Sequence, residues 1–401
     1  NHTTINKPDT WCSMWGNAVS IADHRPESYA KDITLRYPVY APFDGTSLRF
    51  TFDNYCGSEP VSITKATVSV ADFNTNSDSA PKIHLSCPQK KSTTTQITFL
   101  GNPSVTLDAH KRIVSDEVSF QVQAGQTLCV NLYFADFTLM QSAVLITGPL
   151  SKGFFSLGDQ TLTEELPLDT SKTTSWFYFL SNIDILTSSD NHAVICYGDS
   201  ITAQAWPDEL TLRLRREGRK HTSIIRRAAS GTRILRQYDC ITYAAYGLKG
   251  ATRFPIEMEA AGADAVLIQH GINDIIHPVG VEVNQFRPWS DMPTSADLIA
   301  GVEDIYIQYA KEKGYKVYGG TLLPIYGWRT YAPFREEIKN EFNHWIRTTD
   351  KFDGYVDFDE AVRDENHPEA FAEGNDSGDH LHPSEKAYEI MAGAIPAEWF
   401  F

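Results

Sequence analysis

No stretch of this 401-residue chain approaches the roughly 20 consecutive apolar residues that a membrane-spanning helix requires. Positive charge is also in short supply. The 35 Lys and Arg stand against 51 Asp and Glu, a formal net charge of −16 at pH 7. A field of that sign repels polyphosphate, which argues against nucleic acid as a partner. The six cysteines, Cys12, Cys56, Cys87, Cys129, Cys196 and Cys240, are scattered with no CxxC pair, which argues against a zinc site. Cys196 lies in an apolar run and reads as a buried thiol, while spacing leaves disulfides among the other five open. Internal repeats and low-complexity tracts are missing. No charged-then-apolar segment opens the chain, which begins at Asn1 rather than Met. A removed leader or a trimmed start both fit, so cytoplasmic and secreted locations stay open.

What is present is an ordinary soluble composition, 42% hydrophobic and 21% charged, with a rich 12% of aromatics that includes 8 Trp and 18 Tyr. Aromatics on this scale fill cores, and they also line clefts for sugars or lipids. The length exceeds one typical core and predicts about two domains. Residues 1–187 carry short runs rich in β-branched and aromatic residues, at 33–41, 47–54, 63–71, 95–101, 118–125 and 128–135. Several alternate apolar with polar, and Asp44-Gly45, Ala124-Gly125-Gln126 and Gly101-Asn102-Pro103 punctuate them. This predicts an all-β sandwich, jelly-roll-like, as an accessory domain.

After the turn at 187–192 strand and helix alternate through 188–401. Strands are predicted at 193–197, 222–230, 264–271, 315–324 and 354–358. Helices are predicted at 207–217, 295–314, 332–349 and 384–399. The alternation predicts an α/β domain with a parallel sheet wrapped on both faces. In such sheets ligands sit beyond the carboxyl ends of the strands. Ser200, in Gly198-Asp199-Ser200, lies at one such end on the turn into a helix. Its hydroxyl is exposed above the sheet and its N–H points from a helix N-terminus, although a helix cap is the commoner use of serine. Asp379 and His382, three residues apart ahead of the closing helix, supply a base and its orienting carboxylate. His380 competes for the role of base. In an extended segment it points the other way, toward packing or a hydrogen bond. A metal site on Asp379, His380 and His382 lacks the further His or Cys that would complete a shell. Gly231 and Asn273 fall just past two other strands, where a backbone N–H and a side-chain amide can face a developing oxyanion. Each could equally serve a turn. The coincidence of four such pieces at strand ends favours chemistry.

The ordered blocks Gly198-Asp199-Ser200, Gly231, Gly271-Ile272-Asn273-Asp274 and Asp379-His380-Leu381-His382 resemble the SGNH hydrolase superfamily, also called GDSL esterases, over residues 190–401. The resemblance implies a flavodoxin-like three-layer α/β/α domain with Ser200, Gly231, Asn273 and His382 as its four signature residues. Ile201 stands where the name-giving leucine would be, and no G-x-S-x-G elbow surrounds Ser200. The β-rich first half followed by such a domain resembles a two-domain bacterial subgroup that includes acetylesterases of plant-polysaccharide degradation and lysophospholipase-like members.

The expected activity is carboxylester hydrolysis without a cofactor. Ser200, Asp379 and His382 are catalytic, and the N–H groups of Ser200 and Gly231 with the Asn273 amide form the oxyanion hole. The favoured substrate is an O-acetylated carbohydrate, since no long apolar lid for acyl chains is evident. Trp206, Trp289, Tyr326 and Trp328 follow site strands, where they could stack on sugar rings or equally pack a domain interface. A lysophospholipase or short-chain lipolytic esterase is the alternative. A non-catalytic glycan-binding protein is the alternative of another class, against which the intact Ser200, Asn273, Asp379 and His382 argue.

Overall fold

A computed structural model describes residues 9–18, 20–21, 29–73, 79–237, 247–281 and 289–401. The alternating stretches of the first half build two large antiparallel sheets and, among the described residues, three two-stranded ones. One runs in the order Asp9–Gly16, Leu180–Ser188, Gly45–Asp53, Val118–Val122, with Arg112–Val114 also pairing with Gly45–Asp53. The other runs Ser171–Thr174, Gly153–Leu157, Ile33–Tyr40, Thr127–Phe134, Lys65–Val70, Thr95–Ile97. Val118, Phe120 and Val122 turn inward while Ser119 and Gln121 face water, the period-two burial of a sandwich sheet. Ile33–Tyr40 departs from that period and is buried on both faces. Its outer face is covered because buried Arg36 holds two loops onto it, donating to the carbonyls of Cys87, Gln160, Thr163 and Glu164 and to Asn131 Oδ1.

The second half forms a five-stranded parallel sheet of β1 (His192–Gly198), β2 (Thr222–Ala228), β3 (Ala263–Gln269), β4 (Lys316–Gly320) and β5 (Gly354–Val356). Its spatial order is β2-β1-β3-β4-β5, the doubly wound order of flavodoxin-like folds. β1 is central, and Ala193 to Gly198 are all buried, which is why the run is apolar on both alternations. Burial there pushes the Cys196 thiol up to about 12. The helices that bear on the site are α1 (Ser200–Ala203), α2 (Trp206–Arg216), α3 (Gly250–Glu257), α4 (Ile272–Ile276), α5 (Pro333–Thr348) and α6 (Glu385–Ala394). α2 packs on α6 in one layer. α3, α5 and the helical run from Ser295 to Glu312 pack together in the other.

Two predicted helices differ in detail. The helix at 295–314 contains a π segment, Val302–Ile307. The closing helix stops at Ala394, ahead of Pro396 and a separate 3₁₀ turn, Ala397–Trp399. Five cysteines, Cys12, Cys56, Cys87, Cys129 and Cys196, are free thiols. Cys240 lies outside the described residues. Among the described residues no helix is long and apolar enough to cross a membrane.

Candidate active site

Three neighbouring strands end level with one another, since Ala228 of β2 and Gln269 of β3 both pair with Gly198 of β1. Gly198 has no room for a Cβ, which would overlap Thr202 Oγ1 and the Gln269 carbonyl. Asp199 then caps α1, its Oδ1 accepting from the Ile201 N–H at 3.0 Å. Ser200 follows as the first residue of α1.

The Ser200 hydroxyl lies 2.8 Å from His382 Nε2, and His382 Nδ1 lies 2.6 Å from Asp379 Oδ2. The second carboxylate oxygen accepts from the backbone N–H of His382 at 2.8 Å, of Leu381 at 2.9 Å, and from the Ser377 hydroxyl at 3.1 Å. Burial raises the Asp379 carboxyl, but the His382 ring and these backbone donors outweigh it and hold the group below its ordinary value. An ionised carboxylate only accepts, so the proton sits on Nδ1 and leaves Nε2 to accept from Ser200. The loop is pinned by Ser377 N–H to the His382 carbonyl at 2.8 Å and by Ser384, whose hydroxyl caps α6 at the Ala387 N–H. His380 is directed elsewhere. Its φ is +61°, its ring Nδ1 is 3.5 Å from Asp376, and its side chain lies against Gly327.

Gly231 turns the chain after β2 with φ of +77°, a conformation open mainly to glycine. Gly271, at φ +133°, lies two residues past β3 and delivers Asn273 into the first turn of α4. Asn273 is buried, and its amide donates to the Thr232 carbonyl at 3.1 Å. Asp274 beside it accepts from Ile234 N–H at 2.7 Å and Leu235 N–H at 3.1 Å, which binds the loop after Gly231 to α4. Burial pushes both Asp274 and Asp199 up to about 6. Ser200, Gly231 and Asn273 thus each follow the end of one of three neighbouring strands, and Ser200 meets the Asp379–His382 loop.

Of the four predicted sugar-stacking aromatics, Trp206 is a correction. It is 0% exposed, packed on Phe358 beneath the sheet end, and no sugar reaches it. Tyr326 is 46% exposed, edge-on to His367 at 4.4 Å. The Tyr326-Gly327-Trp328 turn leans on His380 and so borders the loop that carries His382. Trp328 is half-buried, with the Arg329 guanidinium over its ring. Trp289 is 59% exposed. Asp291 ties its turn to Arg233 at 2.7 Å, just past Gly231.

Residues 196–390 match the GDSL-like lipase/acylhydrolase family, and the domain they form is placed in it. No curated protein matches the chain. Solved structures similar to it include a family two carbohydrate esterase from Cellvibrio japonicus, at 9% identity and a TM-score of 0.31, covering 98% of this chain and 97% of that one. A catalytic mutant of an acetylxylan esterase from Geobacillus stearothermophilus is similar at 16% identity and a TM-score of 0.37, over 51% of this chain and 91% of that one. A lipolytic G-D-S-L family member from Veillonella parvula is similar at 13% identity and a TM-score of 0.34, over 51% of this chain and 95% of that one.

Proposed function

We propose that the protein is a serine carboxylester hydrolase that removes O-acetyl groups from a carbohydrate. The observation that carries this reading is the continuous Ser200–His382–Asp379 chain, at 2.8 and 2.6 Å, at the end of a buried strand. Ser200 Oγ attacks the acyl carbonyl while His382 takes its proton. Asp379 stabilises the imidazolium. The N–H groups of Ser200 and Gly231 and the free amide hydrogen of Asn273 hold the tetrahedral oxyanion. His382 then protonates the leaving alcohol. Water, activated by the same imidazole, attacks the acyl-enzyme and releases acetate.

The exposed rings of Tyr326 and Trp289, borne on segments that adjoin the triad loop and the Gly231 loop, support a sugar as the alcohol part. The test is acetate release from acetylated oligosaccharides, paired with a chain-length series of aryl esters. A sharp preference for acetyl and loss of all turnover in Ser200→Ala are expected. Activity that rises with acyl length would overturn the substrate, and parental turnover in Ser200→Ala would overturn the hydrolase.

A further inference from the structure

The geometry points to Thr232 as a positioning residue that sets both oxyanion donors at once, held in place by buried Arg253 and His270. This rests on the hydrolase reading above and deepens it. Thr232 directly follows Gly231, is 1% exposed, and accepts the Asn273 amide on its backbone carbonyl at 3.1 Å. That bond uses one amide hydrogen of Asn273 and fixes the plane of the other. One residue therefore anchors the glycine N–H through the chain and the asparagine N–H through space.

The hydroxyl of Thr232 is fixed from three sides. It donates to the Ala229 carbonyl at 2.8 Å, so its lone pairs must receive Arg253 Nη1 at 3.1 Å and His270 Nε2 at 3.0 Å. His270 Nε2 also lies 3.1 Å from the Thr232 carbonyl. His270 thus carries its proton on Nε2, and its bare Nδ1 accepts from the Tyr306 hydroxyl at 2.7 Å. Tyr306 in turn accepts from the Tyr197 hydroxyl at 3.3 Å. The Thr232 hydroxyl, His270 Nε2, and the Tyr306 and Tyr197 hydroxyls all have acceptors with a single neutral tautomer of His270. Burial and the nearby Arg253 charge hold His270 well below its ordinary value, in keeping with that tautomer.

Arg253 extends the same register to the nucleophile. Fully buried, it donates through Nη2 to the carbonyls of Gly198 at 3.0 Å and Arg227 at 2.8 Å, and its guanidinium lies 4.3 Å from the Tyr197 ring centroid. Gly198 is two residues before Ser200. One planar cation therefore spans the serine strand and the oxyanion loop, a geometry that a point-charge ammonium cannot reproduce.

The experiment is steady-state hydrolysis of an aryl acetate by the full chain, the Ser200→Ala control, Thr232→Val, Thr232→Ser and Tyr306→Phe, each with its melting temperature. Thr232→Val keeps shape and carbonyl but loses the hydroxyl. It should lower kcat by about ten- to hundredfold, less than deletion of an oxyanion donor itself, with KM within about twofold. Thr232→Ser should restore most of the loss. Tyr306→Phe frees Nδ1 of His270 and should show the same kcat-only pattern, which keeps the inference testable if Thr232→Val does not fold. Wild-type kcat in Thr232→Val or Tyr306→Phe, or no rescue by Thr232→Ser, overturns the inference while Ser200-dependent turnover leaves the hydrolase standing. A parent chain no faster than Ser200→Ala overturns the hydrolase itself.

Discussion

Asp379 holds the His382 imidazole and Asp199 directly precedes Ser200, yet their surroundings drive them in opposite directions. Asp379 is held ionised by donors that face it, and its task is to keep the proton on Nδ1 of His382. Asp379→Asn presents an N–H there, moves the ring proton to Nε2, and turns it against the Ser200 hydroxyl. We expect kcat to fall by about three to four orders of magnitude with the fold intact, read by steady-state kinetics beside circular dichroism. On the proposed mechanism Asn273→Ala removes one oxyanion donor and should lower kcat by about 10²–10³. Asp199 is fully buried, with Oδ1 on the Ile201 N–H and Oδ2 without a hydrogen-bond partner among the described residues. Burial raises it from 3.8 to about 6. Between those values the folded chain binds the proton more tightly than the unfolded chain, so stability falls as pH rises. Above about 6 the full cost is present, about 3 kcal/mol at most at 1.4 kcal/mol per unit. Asp199→Asn keeps the cap and deletes the charge. Its melting temperature should exceed the parent's at pH 8, and the gap should close toward pH 4. A variant that melts lower at every pH refutes this account.

At the scale of elements, Gly198 makes a clear test of how strand and nucleophile are joined. A Cβ there meets Thr202 Oγ1 and, on the other side, the Gln269 carbonyl, which belongs to the backbone and cannot rotate away. Gly198→Ala should lower both the melting temperature and kcat, whereas Ser200→Ala should lower kcat alone.

The same elements show what could be read from sequence. β1 was legible because a strand buried on both faces is an unbroken apolar run ended by Gly-Asp. The 33–41, 118–125 and 128–135 strands were legible from β-branched and aromatic runs, and α5 from its amphipathic period. The strands Asp9–Gly16 and Leu180–Ser188 escaped notice because buried polar residues interrupt their apolar runs. Ser13, Asn182 and Asp184 sit inside the sheet and satisfy one another, with Ser13 Oγ donating to Asp184 Oδ1 at 2.6 Å and Asn182 Nδ2 donating to the same oxygen at 2.8 Å. α3 escaped notice because it starts at Gly250 and contains Pro255, both helix-unfavourable. With α3 went Arg253. Residues whose chemistry has a short motif, such as Ser200 and His382, announce themselves. Residues such as Thr232 act through carbonyls and buried hydroxyls, and no spacing rule exposes them. Trp206 was misread because proximity to the serine in sequence does not reveal which way a helix turns its ring.

For the molecule as a whole, the question is whether the sandwich and the parallel sheet stand or fall together. β2 is the edge strand of the parallel sheet, and Asp9–Gly16 of the sandwich packs against it. Ser223 Oγ donates to the Ser13 carbonyl at 2.6 Å, and the Ser13 N–H donates to the Ala261 carbonyl at 2.7 Å. At the centre of the joint Arg227 of β2 uses all its donors. Nη1 reaches the carbonyls of Asn17 at 2.7 Å and Ser181 at 2.8 Å; Nη2 reaches Asn182 Oδ1 at 2.9 Å and the Glu259 carbonyl at 3.0 Å; Nε reaches the Glu257 carbonyl at 3.1 Å. Burial lowers its pKa to about 10, so it is still a cation at neutral pH, with the Glu257 carboxylate 3.8 Å away. A buried cation with five satisfied hydrogen bonds contributes little net stability by existing, but its removal leaves acceptors from both halves unpaired and costs about 3–5 kcal/mol. Two consequences follow from that asymmetry. The parent chain should melt in one transition with equal calorimetric and van't Hoff enthalpies, because neither half can open without stripping Arg227 of partners. Arg227→Met should melt well below it, and a chain lacking residues 1–187 should be insoluble, since it bares the β2 edge and strips the buried Arg227 guanidinium of its Asn17, Ser181 and Asn182 acceptors. Two separated transitions in the parent, or an active and soluble fragment of residues 188–401, would mean that the sandwich is an appended module rather than a wall on which the hydrolase sheet depends.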